Sequence, residues 1–99
     1  KFSFVNEVDY SSGGIVSINV IKRATGNISL FAFDKGGSLS THAAHFDATV
    51  QILEGTAHIV IADKPYELKA GETIIMPAGI PHSVEAPERM KMLLTMIKE

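Results

Sequence analysis

Short apolar stretches separated by turn-forming residues recur along the whole chain, and this even punctuation constrains the fold more than any other feature. The stretches are Ile15 to Ile21, Ile28 to Phe33, Thr49 to Leu53, Ala57 to Ile61, Thr73 to Met76 and Met90 to Ile97. Between them lie Ser12-Gly13-Gly14, Gly26-Asn27, Lys35-Gly36-Gly37, Asp63-Lys64-Pro65, Ala70-Gly71 and the run from Pro77 to Pro81. All are rich in residues that set turn dihedrals. Many short strands at regular spacing predict an all-β sandwich or barrel. The last stretch, "RMKMLLTMIK", contains good helix formers. Its residues nevertheless alternate: Met90, Met92, Leu94 and Met96 against Lys91, Leu93, Thr95 and Ile97. Both sets are partly apolar, which predicts a closing strand covered on two sides.

At 99 residues the chain suits one domain spanning residues 1–99. Apolar residues make up 45%, charged residues 20%, and the net charge is −2 with no block of like charges. This excludes disorder and a nucleic-acid surface. There is no cysteine, so a disulfide framework, a thiolate metal site and a cysteine nucleophile are all excluded. Any metal must use nitrogen or oxygen ligands. The apolar runs fall far short of the roughly 20 residues that span a bilayer, and no basic and apolar leader opens the chain. A soluble, cytoplasmic protein without membrane contact is expected. The first residue is Lys1 rather than methionine, so a few missing residues are expected at the start, which leaves room for a trimmed targeting segment. The positive mean hydropathy of +0.17 leaves apolar surface to cover, which predicts a homodimer with Ile15 to Ile21 as a contact element.

Two histidines stand out by their surroundings. In "GETIIMPAGIPH", Gly71 and Gly79 suit positive φ or close backbone approach, while Pro77 and Pro81 fix the loop that presents His82. His42 comes from the start of a different strand, and two neutral imidazoles converging in an apolar barrel would make half of a metal site.

The spacing Gly71, Pro77, Gly79, His82, together with Gly36, His42 and Gly55, resembles the paired signatures of the cupin family over about residues 30 to 98. The resemblance implies a double-stranded β-helix, or jelly-roll barrel, that encloses a pocket. It also places Ala44 and Ala48 where the family carries a second histidine and a glutamate, and Ala86 where an asparagine is usual. The family includes dioxygenases, isomerases, epimerases, sugar-sensing domains and storage proteins, so the fold alone does not give the function.

Strand parity puts His42, Ala44, Ala48, Val50 and Ile52 on one face and His45, Asp47, Thr49, Gln51 and Leu53 on the other. The regular pattern turns His42 inward and His45 and Asp47 outward. One looped-out residue between His45 and Ala48 would bring His45 to the inner side. Candidate metal ligands are therefore His42, His82 and, through such a bulge, His45. Candidate pocket-lining residues are Ala44, Ala48, Phe33, Met76 and Met92, although methionines and phenylalanines in such a chain first serve as core. His58 is expected outside the pocket and Asp47 as a solvated turn acid.

Two functions follow. The first is a mononuclear centre holding Zn, Fe, Mn, Ni or Cu through nitrogen ligands and acting as an oxygenase or isomerase on a small organic molecule. Against it stand a missing carboxylate ligand and no evident inward acid or base. The second is a metal-free cupin that binds or senses a small molecule, with His42 and His82 orienting it. Metal-independent epimerisation by a histidine base is a variant of the second. Its partner tyrosine is not identifiable, since Tyr66 is expected in the turn region after Pro65.

Overall fold

The computed structural model describes residues 1–98. A 3-10 turn at Phe4–Asn6 precedes nine strands: β1 (Ile15–Arg23), β2 (Gly26–Phe33), β3 (Ser38–His42), β4 (Asp47–Glu54), β5 (Thr56–Ile61), β6 (Lys64–Lys69), β7 (Thr73–Met76), β8 (His82–Glu85) and β9 (Met90–Ile97). They form a five-stranded sheet, β1-β2-β9-β4-β7, and a four-stranded sheet, β3-β8-β5-β6. All pairings are antiparallel. The inner faces meet in a core that includes Phe33, Val50, Ile52, Ala57, Ile59, Val84, Met90 and Met92. The architecture is an all-β jelly roll, as the punctuation predicts. Residues 90–97 form the expected closing strand.

Burial follows the period-two pattern where one face is open. In β4, Ala48, Val50 and Ile52 are buried while Asp47 is exposed and Thr49 and Gln51 are half-buried. β2 departs from it, because Leu30 and Ala32 on its outer side are buried as fully as Phe33 on its inner side. The N-terminal segment is the reason: Val8, Phe4 and Tyr10 cover Leu30, Ala32, Leu53 and Leu93 in a second, smaller cluster. Lys91 holds that segment by donating to the Val5 carbonyl at 2.7 Å.

Three strands carry no apolar run and were not legible in the sequence. They are β3 ("SLSTH"), β6 ("KPYELK") and β8 ("HSVE"). One expectation needs correction, since Pro65 and Tyr66 do not lie in a turn but within β6. β6 is an edge strand, where a proline needs no ladder partner. The turn is the pair before it, Ala62 and Asp63, with φ of 50° and 66°. Positive φ at both central residues is the type I′ geometry that matches strand twist.

Four connections gather at one end of the barrel. The registers place Arg23 and Gly26, Asp47 and Ile97, and Ile61 opposite His82 there. The β1–β2 turn, the β3–β4 loop, the β5–β6 turn and the β7–β8 loop therefore ring a common mouth. Phe33, Met90 and Gly55 lie at the opposite, closed end.

Candidate functional site

The β7–β8 loop is rigid for local reasons. Proline fixes φ at Pro77 and Pro81, Gly79 takes φ 76°, and the Ile80 amide closes a turn onto the Pro77 carbonyl at 3.3 Å. The loop delivers His82 as the first residue of β8. In that strand His82 and Val84 are buried, so His82 faces the barrel interior.

His42 reaches the same place by a bulge. β3 pairs Leu39 with Val84 and then His42 with His82, so β3 spends three residues where β8 spends two. Without the extra residue Thr41 would stand opposite His82, and His42 would turn outward. The bulge lies before His42 and not between His45 and Ala48. The inward alternative for His45 is therefore not adopted.

The two rings meet edge to face, with centroids 4.4 Å apart and planes at 67°. His42 Nδ1 lies 2.9 Å from the Ser40 carbonyl and His82 Nδ1 lies 3.2 Å from the Ile80 carbonyl. A carbonyl only accepts, so each Nδ1 carries the proton and each Nε2 keeps a lone pair. His82 is buried, and burial pushes its pKa below the ordinary imidazole value. The Ile80 carbonyl opposes that shift, and nearby His42 adds to it. His42 is exposed and sits on the solvent side of the pair.

Two bonds tie the histidine-bearing loops together. The Gly79 amide donates to the Ala44 carbonyl at 2.7 Å, and the Ala78 amide donates to Asp47 Oδ1 at 2.8 Å. Asp47 is thus a loop clamp and not a free turn acid. Nothing in its sequence setting signals this, because its partner lies 31 residues away.

The remaining candidates are distributed along the barrel. His45 is exposed and shares an outward recess with Phe46, Asp47, Ala78 and Ile97, apart from the His42–His82 pair. Ala44 is half-buried in the β3–β4 loop. Ala48 and Met76 are cross-strand neighbours on the inner face at the mouth end, and both are buried. Met92, opposite Phe31 and Ile52, lies at mid-barrel. Phe33 is displaced from the group: it lies six residues along β2 from Asn27, about 20 Å at strand rise, and fills the closed end. His58 faces out, with Nε2 3.1 Å from Glu67 Oε2. Among the described residues, no three His, Cys, Asp or Glu side chains form a group able to hold a metal ion. No helix among them is long and apolar enough to cross a membrane.

Comparison with known proteins agrees with this architecture. The cupin domain family matches residues 29–97. A conserved protein of unknown function from Streptococcus pyogenes shares 36% identity over the whole chain and 87% of its own length, with a TM-score of 0.95. A cupin 2 conserved barrel domain protein from Leptotrichia buccalis is 39% identical over 98% of the chain, with a TM-score of 0.94; the chain spans 47% of its length. A cupin superfamily protein from Desulfitobacterium hafniense is 26% identical over 93% of the chain and 84% of its own, with a TM-score of 0.90. No protein of curated function matches at a significant level. The jelly roll, the glycine and proline spacing and the match over residues 29–97 together make the chain a member of the cupin family.

Proposed function

We propose that the protein binds a small organic molecule at the barrel mouth, with His42 and His82 as its recognition pair, and that the same pair holds a divalent transition metal. The observation that carries this reading is the shared tautomer. Both Nδ1 atoms are committed to backbone carbonyls, leaving two Nε2 lone pairs within one 4.4 Å ring contact. An Nδ1–H bonded to a carbonyl is the usual support for a ligating imidazole.

The fit to a metal is partial. Two nitrogens suit Zn, Fe, Mn, Ni or Cu, and the other positions would fall to water or the bound molecule. Such a metal would supply Lewis acidity. The chain's own residues would hold it and exclude bulk water from its inner side. His45 becomes a third ligand only if the β3–β4 loop turns inward, so it is assigned a secondary role. Among the described residues the buried polar ones are Asn27, Ser29, His82 and Lys91, none of them a carboxylate. This favours binding over acid–base turnover, and oxygenase or isomerase activity is the second reading.

Titration of the tag-free protein with Zn and Ni is expected to show one site per chain. The His42→Ala, His82→Ala double variant should weaken it at least ~100-fold, since loss of a supporting second-shell bond alone costs about 10- to 100-fold. Affinity should hold above neutral pH and fall as acid protonates the lone pairs. Stability follows the same direction: the depressed His82 pKa means that the unfolded chain takes up the proton first, so stability drops as pH falls below about 6.5. Unchanged metal affinity in the double variant would sink the reading.

We also propose a homodimer through the outer face of the five-stranded sheet. Ile75, Thr49, Thr95, Ile28 and Ile21 form one row across all five strands, and Ile75 is 63% exposed beside Ile97 at 61%. A self-complementary apolar patch of this kind suits a two-fold interface. An Ile75→Lys, Ile97→Lys variant should shift the mass measured by light scattering from dimer to monomer, and a native protein already monomeric at high concentration would refute it.

A further inference from the structure

The interior of the barrel is apolar except at the mouth, where a second set of polar groups faces the histidines from the opposite sheet. On the inner face of β1 and β2, Asn27 Nδ2 donates to Ser29 Oγ at 2.8 Å, and the Ser29 hydroxyl donates to Asn19 Oδ1 at 2.9 Å. Asn27 stands opposite Met96, and Met96 stands opposite Ala48. The relay therefore sits at the same end of the barrel as His42 and His82.

The relay has a direction. Because Ser29 gives its proton to Asn19, it can only accept from Asn27, which turns the amide nitrogen toward Ser29 with one of its two N–H groups used. Asn27 Oδ1 is a buried acceptor with no hydrogen-bond partner among the described residues. A buried carbonyl oxygen without a donor costs roughly 1–3 kcal/mol. A ligand donor reaching the mouth would satisfy the oxygen, as an ordered water would in its place.

We infer that Asn27 is a specificity-determining residue of the mouth site and that its ligand is an uncharged polyhydroxy compound. This deepens the reading of His42 and His82 as the recognition pair and rests on it. The chemistry follows from counting acceptors. Asn27 Oδ1 accepts from one sheet, and in the metal-free site the two Nε2 atoms accept from the other, so a molecule bound there has to bring donors to both sheets. Among the described residues no buried carboxylate is present to balance an ammonium. The cations at this end are peripheral: Lys22, Arg23 and Lys64 are exposed, and the Lys98 ammonium lies 5.1 Å from the Phe46 ring. Oδ1 is covered in the free protein. Met96, across from it, is an unbranched side chain that can change rotamer to admit a hydroxyl.

The test uses myo-inositol, D-xylose and glycerol as probes, with nitrogen-15 spectra of the full chain and its variants. At least one probe should shift the Asn27 side-chain amide and the signals of His42 and His82. Asn27→Leu should abolish those shifts while its thermal midpoint stays at or above that of the parent, because an unsatisfied amide has been removed. No response to any of the three probes overturns the inference. A lowered midpoint in Asn27→Leu, with probe binding intact, assigns the relay to structure and also overturns it. Binding kept in Asn27→Leu and lost in the His42→Ala, His82→Ala variant would leave the histidine site standing alone. Binding kept in both would remove the site itself.

Discussion

Replacing Gly55 with alanine is expected to destabilise the protein by more than about 3 kcal/mol, the largest effect of any glycine-to-alanine change in this chain. Gly55 carries the chain from β4 in one sheet to β5 in the other, with φ of 78°. An L residue there is strained by roughly 1–2 kcal/mol whatever surrounds it. The surroundings are worse: the new Cβ would lie 2.2 Å from the Arg89 carbonyl oxygen and 2.9 and 3.0 Å from Met90 Cβ and Cα. None of these atoms is the tip of a flexible side chain. Relief therefore requires the entrance of β9 to move, and β9 is the centre of the five-stranded sheet. Gly71 is the internal control. Its φ is also positive, at 92°, but a Cβ there meets nothing within 4 Å, so Gly71→Ala should show only the backbone strain. In thermal melts, each kcal/mol moves the midpoint of a domain of this size by about 4–8 °C. Gly55→Ala should fall by about 12 °C or more, or fail to fold. A midpoint close to that of Gly71→Ala would show that β9 is free to give way.

Phe33→Ala is expected to cost about 3–5 kcal/mol in chemical denaturation, with Phe33→Leu far milder. Phe33 is fully buried, stacks at a tilt on Phe31 with centroids 6.1 Å apart, and stands opposite Ile15 and Met90. It plugs the closed end, where the β2–β3 turn leaves little room: a Cβ on Gly37 would lie 3.3 Å from the Phe33 ring. Truncation would open a cavity that the tightly turned backbone cannot collapse into. Because the mouth is far along β2, binding measured on the folded fraction should be unchanged. A loss of less than about 1 kcal/mol would mean that the ring is not a packing element, and an altered affinity at the mouth would mean that the two ends are coupled.

Most of the fold was legible because its apolar strands advertise themselves. Val50 and Ile52 alternate with polar neighbours, and β2 and β9 are apolar on both sides. The strands that went unseen, β3, β6 and β8, are short and polar, and two of them are sheet edges with little surface to bury. The site was legible in part for a related reason. His82 follows a loop whose dihedrals are set by its own Pro77, Gly79 and Pro81, so local chemistry announces it. His42 depends on a bulge that only its pairing with β8 reveals. The Asp47 clamp and the Asn27 relay are contacts between residues that mean nothing until the strands are paired. Alternation left both orientations of His45 open, and the bulge that the structure shows lies on the other side of His42.

The bonds from Gly79 to Ala44 and from Ala78 to Asp47 make one body of two loops that are far apart in sequence. A histidine pair carried on independent loops would lose its freedom when a ligand arrived, and that loss would subtract from affinity. Here the ordering is completed during folding. An incoming molecule gives up only its own motion and need not first recruit one imidazole and then wait for the other. In the binding role proposed above, a small, weakly held molecule would meet a pair already ordered, without closure of a lid.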